Sequence, residues 1–196
     1  MTNPTINVAL QAASESLTTD FQSWPKIPRL SKESMIITEK IDGTNAQVLI
    51  MESGEIKTGS RNRWVTPEDD NYGFAKWVAE NELDIRKLGP GRHFGEWWGQ
   101  GIQRGYGLDH KRFSLFNTRR PADSVPGCVG VVPVLYQGQF DSPSISTLSH
   151  YLMVQGSHAA PGFMKPEGLV VHFPHSKLRF KVLFENDDMH KGEVVV

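Results

Sequence analysis

The sequence predicts an α+β domain, antiparallel sheets with flanking helices, on three observations. Short apolar, β-branched runs recur along its 196 residues, among them MIITEKI (35–41), AQVLIM (46–51) and VGVVPVLY (129–136). Turn-forming clusters such as GTN and ESGE separate neighbouring runs. Only two well-marked stretches carry helical spacing, too few for a βαβ alternation.

The elements follow in order. VALQAASESL near the N-terminus is weakly amphipathic and reads as a helical turn or two, and WPKIPRL (24–30), with two prolines, as an extended lead-in. Strands are expected over 35–41 and 46–51, with GTN turning between them and ESGE (52–55) leading into IKTGS. A helix is expected to start at Thr66-Pro67, a capping hydroxyl followed by proline and acids, with Phe74, Trp77 and Val78 at helical spacing. HFGEWWG (93–99), RFSLFN (112–117) and VGVVPVLY (129–136) read as strands. Ser144 is placed to cap a second helix that presents Ile145, Leu148 and Leu152 on one face. EGLVVHF (167–173) and KLRFKVLF (177–184) read as a closing hairpin.

Composition narrows the class. Hydrophobic residues make up 38% and charged residues 22%, as in an ordinary globular protein, and the length suits one domain. No apolar run approaches the roughly 20 residues of a membrane span, and MTNPTINVAL lacks the basic and apolar regions of a secretory leader. Cys128 is the only cysteine, which excludes an internal disulfide and a cysteine-cluster zinc site, and a cytoplasmic protein is the default expectation. The net charge of −1 carries no global nucleic-acid signature. Charge is nonetheless uneven: residues 92–120 hold six Arg or Lys against Glu96 and Asp109, while residues 66–84 hold six acids against Lys76. There is no G-x-x-x-x-G-K-[ST], G-x-S-x-G or H-E-x-x-H pattern, and the seven histidines are scattered.

The chemistry-bearing stretch is EKIDGTN (39–45), which contains Lys40, Asp42, Gly43 and Asn45 in a K-x-D-G-x-N pattern. By average usage this pattern would arise by chance in such a chain on the order of a few times per thousand. A lysine amine attacks only when deprotonated, which burial or neighbouring positive charge favours. Further residues follow in an order that nucleotide chemistry on such a lysine needs. Arg61 in GSRNR is suited to phosphate, with Arg63 as the alternative, and Glu96 in HFGEWWG to ribose hydroxyls. Phe116 in RFSLFN offers a ring for a base to stack on; Phe113, three residues earlier and on the opposite face, is the alternative. Glu167 in PEGLVV is suited to bind Mg²⁺ directly or through water, and Arg179 and Lys181 alternate along a strand and so share a face.

Together these stretches resemble the covalent nucleotidyltransferase superfamily of polynucleotide ligases and capping enzymes, most closely the RNA ligase family of the T4 RNA ligase 2 type. EKIDGTN resembles its first motif, GSR and FGEWWGQGIQ the next two, and RFSLFN, PEGLVV and LRFKV the remaining three, across about residues 24–184. The resemblance implies the nucleotidyltransferase (adenylation) fold as a single domain over 1–196, without a separate C-terminal OB-type or other accessory domain. It implies an ATP-dependent RNA ligase in which Lys40 forms a lysyl–AMP, AMP passes to a 5′-phosphate end, and a 3′-hydroxyl displaces it. It places Glu39 by the adenine edge, Asp42, Asn45 and Glu96 about the nucleotide with the last two near the ribose, Phe116 on the base and Arg61 on a phosphate. Glu167 would serve the Mg²⁺- or Mn²⁺-dependent steps, and Arg179 and Lys181 the α-phosphate. The expected partner is RNA with nicked or broken ends, in a repair or processing setting, with DNA as an alternative and an accessory protein in place of the absent domain. A ligase-like module that holds nucleotides or nucleic-acid ends without sealing is the second reading. Three departures mark this chain: Arg179 where relatives carry lysine, Asn117 where they carry aspartate, and an end about fifteen residues after Lys181.

Overall fold

The computed structural model describes residues 21, 23–24 and 26–185, so the stretch VALQAASESL lies outside the described residues. Two sheets form the framework, and the chain crosses between them directly after Lys40. The first, ordered β10-β9-β1-β8, comprises β1 (Ser34–Lys40), β8 (Val134–Gln139), β9 (Gly168–Phe173) and β10 (Leu178–Leu183). The second, ordered β4-β3-β2-β5-β6-β7, comprises β2 (Thr44–Ile50), β3 (Ile56–Gly59), β4 (Trp64–Val65), β5 (Gly91–Gly99), β6 (Lys111–Leu115) and β7 (Val129–Val131). All pairings are antiparallel except β6 with β7. The α+β class therefore holds.

Each sheet has one face covered by helix. Helices α1 (Phe74–Glu80) and α2 (Glu82–Ile85) lay Phe74, Val78 and Ile85 on Ala46, Val48, Trp97, Phe113 and Leu115 of the six-stranded sheet. Helix α3 (Ser142–Gln155) packs Leu152, Ile145 and Leu148 against Met35, Ile37, Leu169 and Val171 of the four-stranded sheet. A third apolar cluster, Ile41, Trp98, Tyr106, Val132 and Ala160, draws on the β1–β2 link, β5 and three loops. Among the described residues no helix is long and apolar enough to cross a membrane.

Four local expectations are corrected. Thr66 does not start a helix: its carbonyl and hydroxyl both accept from the Asp69 N–H, closing a turn. The helix begins at Phe74, where the Asp70 carboxylate accepts from the Ala75 and Lys76 N–H groups. VGVVPVLY is two strands in different sheets, because Pro133 has no N–H for a ladder and the chain changes sheets there. Helix α3 starts at Ser142, with Pro143 in its first turn and Ser144 donating to the Asp141 carboxylate rather than capping. Thr44 and Asn45 are already in β2, so the turn after Lys40 is Ile41–Gly43.

Candidate active site

Why the K-x-D-G-x-N stretch has its residue types follows from its position at the crossing. Lys40 is the last residue of β1 and Thr44 the first of β2, leaving three residues to change sheets. Ile41 drops into the third cluster beside Trp98 and Tyr106. Asp42 is anchored twice: its N–H donates to the Tyr106 hydroxyl at 2.8 Å and its carboxylate accepts from Arg104 Nε at 3.1 Å. Gly43 passes so close to β5 that a Cβ there would sit 2.5 Å from the Trp97 carbonyl oxygen and 2.7 Å from Trp98 Cβ. No larger residue fits without moving β5.

Side-chain faces follow from strand register, since residues directly opposite in antiparallel pairs share a face. On the four-stranded sheet, Lys40 and Thr38 lie opposite Gly168 and Val170, and Val170 and His172 lie opposite Lys181 and Arg179. Lys40, Lys181 and Arg179 therefore occupy the face away from α3, as the alternation predicts for the last two. Gly168 is required here: a Cβ would fall 2.0 Å from the Val182 carbonyl oxygen. Just before it, Glu167 accepts from Lys40 Nζ at 2.5 Å.

On the six-stranded sheet, Asn45, Glu96 and Ser114 lie side by side on the face away from α1. They form a polar chain: Arg61 Nε donates to Asn45 Oδ1 at 2.8 Å, Asn45 Nδ2 to Glu96 Oε2 at 3.3 Å, and the Gly43 N–H to Glu96 Oε1 at 3.1 Å. Glu96 is only 8% exposed. Burial pushes its carboxyl up to about 7, opposed by the Lys40 charge and the Gly43 N–H and reinforced by Glu167 and Asp42. The Lys40–Glu167 pair and the Glu96 chain thus belong to one electrostatic site at the crossing.

The structure separates the paired alternatives. Arg61 joins the Asn45–Glu96 chain, whereas Arg63 is held by the Asp69 carboxylate at 2.6 Å and by the Asp69 carbonyl. Phe113 is 0% exposed, inside the core against Phe74, whereas Phe116 is 44% exposed and continues the Glu96 face through its N–H to the Phe94 carbonyl. Trp97 and Trp98 both pack inside, in different clusters, and Trp98 Nε1 donates to Ser114 Oγ. Glu39 points away from Lys40: its carboxylate is 1% exposed and accepts from Ser157 Oγ, the His158 N–H and the Ala159 N–H. That saturated carboxylate ties the loop after α3 to β1.

Sequence reasoning missed Arg104, Tyr106 and Ser157. Arg104 bridges Asp42, the Lys165 carbonyl and Glu185, and its charge is reinforced by both carboxylates. Its only signal was membership of the basic segment 92–120. That segment does not form one surface, since Lys111 reaches the Tyr72 carbonyl, Arg112 the Ala159 carbonyl and Arg120 the Leu88 carbonyl.

Comparison with solved structures returns the same fold in RNA ligase from Naegleria gruberi. A lysine-to-methionine variant with AMP and manganese matches at a TM-score of 0.59 and 20% identity, covering 79% of this chain and 50% of the other. A glutamate-to-alanine variant with ATP and manganese matches at 0.59 and 21%, covering 83% and 53%, and the ligase with pyrophosphate at 0.58 and 20%, covering 79% and 50%. The chain thus spans about half the length of these structures. No curated protein matches. The family model for RNA ligase matches residues 33–183, which takes in every strand and every residue of the site, and the chain belongs to the RNA ligase family.

Proposed function

We propose that this chain is an ATP-dependent RNA ligase that charges itself with AMP on Lys40, transfers the AMP to a 5′-phosphate end and seals that end to a 3′-hydroxyl. The observation that carries the reading is the position of Lys40 Nζ. It ends β1 against Glu167, on the face that bears Arg179 and Lys181, and its charge is felt by Glu96 across the crossing. In the first step the Lys40 ammonium gives up one proton to solvent, and the resulting amine attacks the α-phosphorus of ATP. The N–P bond forms as the P–O bond to pyrophosphate breaks, and the amine loses its remaining extra proton to solvent. Arg179 and Lys181 have no ion-pair partner among the described residues and are free to meet phosphate oxygens.

Asn45 and Glu96 present an amide and a carboxylate suited to ribose hydroxyls, and Phe116 presents the exposed ring that a base requires. Asp42 serves through Arg104 and Tyr106, which fix the turn that aims Lys40. Glu39 acts through the loop at 157–159, whose backbone it positions beside β1. Among the described residues there is no cluster of three metal-ligating side chains. Glu167 alone fits the pattern in which Mg²⁺ or Mn²⁺ is held by one carboxylate together with substrate phosphates. A divalent cation there would neutralise phosphate charge. Solved relatives carrying AMP or ATP with manganese support the same choice of nucleotide and ion class.

Mass spectrometry of the purified chain after incubation with ATP and Mg²⁺ tests this. The expected result is one added AMP, absent with GTP and absent in Lys40→Ala. No adduct in folded, previously uncharged protein would leave the second reading, a module that holds nucleotides or ends without sealing.

A further inference from the structure

Beyond the nucleotide site, the same face of the six-stranded sheet carries a row of aromatic side chains that no core packing explains. Register aligns Trp64 with Gly59, Gly59 with Gln47 and Gln47 with Phe94, and the Phe116 N–H extends the line to β6. Trp64 is 48% exposed, Phe94 52% and Phe116 44%. At strand spacing the row is about 19 Å long and runs about 7 Å from the parallel row of Asn45 and Glu96. The next row outward is Lys57, Leu49 and Arg92. Arg92 is already posed, its guanidinium 5.4 Å from the Trp64 ring centroid and donating to Gln47 Oε1 at 2.5 Å. Among the paired positions of this face Glu96 is the only carboxylate, and it is buried.

We infer that the Trp64–Phe94 part of this row, Phe116 being left to the nucleotide, is a docking platform for unpaired nucleotides of the RNA strand next to the end being joined, an inference that rests on the ligase reading above. Exposed rings flanked by the guanidinium of Arg92, unpaired with any carboxylate among the described residues, with Lys57 further out and held by Glu55 at 3.4 Å, are a combination that suits single strands. Bases stack on the rings, and cations follow the backbone. Paired bases expose no faces to such a platform, so the structure assigns this surface to single-stranded rather than fully duplex RNA. The neighbouring row of Asn45 and Glu96 puts this platform beside the nucleotide site. Gly59 keeps the middle of the row low, since a Cβ there would press on Gln47.

The test is fluorescence anisotropy with a dye-labelled, 5′-phosphorylated single-stranded RNA, alongside a blunt RNA duplex of the same length. Trp64→Ala and Phe94→Ala are each expected to weaken single-strand binding about 5- to 150-fold, the range that loss of one stacked base gives. Arg92→Gln is expected to flatten the salt dependence by roughly one phosphate contact. All three side chains are exposed, so thermal melts should stay close to the parent chain. Equal binding of single strand and duplex overturns the inference. So does no measurable single-strand binding, or unchanged affinity in both aromatic variants. Gel filtration adds a further refutation: a dimer that Trp64→Ala and Phe94→Ala dissolve would mean that a second copy covers this face. AMP charging, read by mass on the same samples, reports separately on Lys40. A chain that binds single strands through this row yet never charges would refute the ligase reading and leave the platform standing.

Discussion

Replacing Glu96 by glutamine should make the protein progressively more stable relative to the parent as pH rises, while disabling it. The folded chain holds a proton on Glu96 up to about pH 7, against an ordinary value of 4.5. Between those values unfolding releases a proton, so stability falls as pH rises through the window; below it both states are protonated, and above it the loss is complete. That difference corresponds to about 3 kcal/mol. Glutamine is neutral throughout and still offers an oxygen to the Gly43 N–H, which now approaches Glu96 Oε1 at 3.1 Å. Its NH₂, however, meets Asn45 Nδ2, which now donates to Glu96 Oε2, at a constant cost of about 1–3 kcal/mol that does not depend on pH. The assay is urea unfolding of both proteins at several pH values from 5 to 8. Relative to the parent, the variant should gain about 2–3 kcal/mol between pH 5 and pH 8. Other titrating groups are common to both proteins and cancel in the difference. Charging with AMP should fall sharply in the variant, because the amide cannot supply the carboxylate proposed for the ribose. A pH-independent difference would show that Glu96 is ionised in the folded state throughout, and would refute the argument from burial.

Gly43→Ala should cost about 1–3 kcal/mol by forcing the crossing away from β5, and should reduce AMP charging in the fraction that folds, read by urea melts and mass. Phe113→Ala should lose about 3–5 kcal/mol, whereas Phe116→Ala should leave the melt nearly unchanged and raise the ATP concentration needed for charging. If Phe113→Ala instead spares the melt and raises that ATP requirement, the assignment of faces is reversed. Glu39→Ala should leave the His158 and Ala159 N–H groups without their acceptor and cost several kcal/mol, visible as earlier hydrogen exchange in residues 157–160.

Legibility in the sequence followed range of interaction. Strand period and turn residues are local, so β1, β2, β3, β5 and the β9–β10 hairpin were readable, as was the shared face of Arg179 and Lys181. The helix start was misread because Thr66-Pro67 satisfies the local rules for a cap while the carboxylate that serves the helix, Asp70, lies four residues on and reaches forward to Ala75. Pro133 carried its signal, a missing donor, but a proline alone does not say that the chain leaves one sheet for another. Arg104 and Ser157 were invisible for a different reason. Their partners lie 62 and 118 residues away, and neither spacing nor composition encodes such a meeting.

The same distinction explains why the motif at 39–45 was the most informative stretch and yet was incompletely understood. Each of its residues answers to a different neighbourhood. Glu39 is fixed to the loop after α3, Lys40 faces Glu167, and Ile41 enters the joining cluster; Asp42 is held by Arg104, Gly43 lies against β5, and Asn45 links Arg61 to Glu96. Three residues must therefore carry the chain between sheets while keeping an amine on one sheet and its polar chain on the other in fixed relation. Lengthening the crossing by one glycine would keep every contacting residue and lose that relation. Such an insertion after Ile41 should preserve cooperative unfolding of the two helix-covered cores, since neither includes residues 41–43. AMP charging should nevertheless collapse, because a displacement of about 1 Å at a reacting atom is enough to cost two orders of magnitude in rate. Charging at the parental rate in the insertion variant would mean that Lys40 is aimed by β1 and Glu167 alone. The anchoring of Asp42 and the close approach of Gly43 would then serve folding and nothing further.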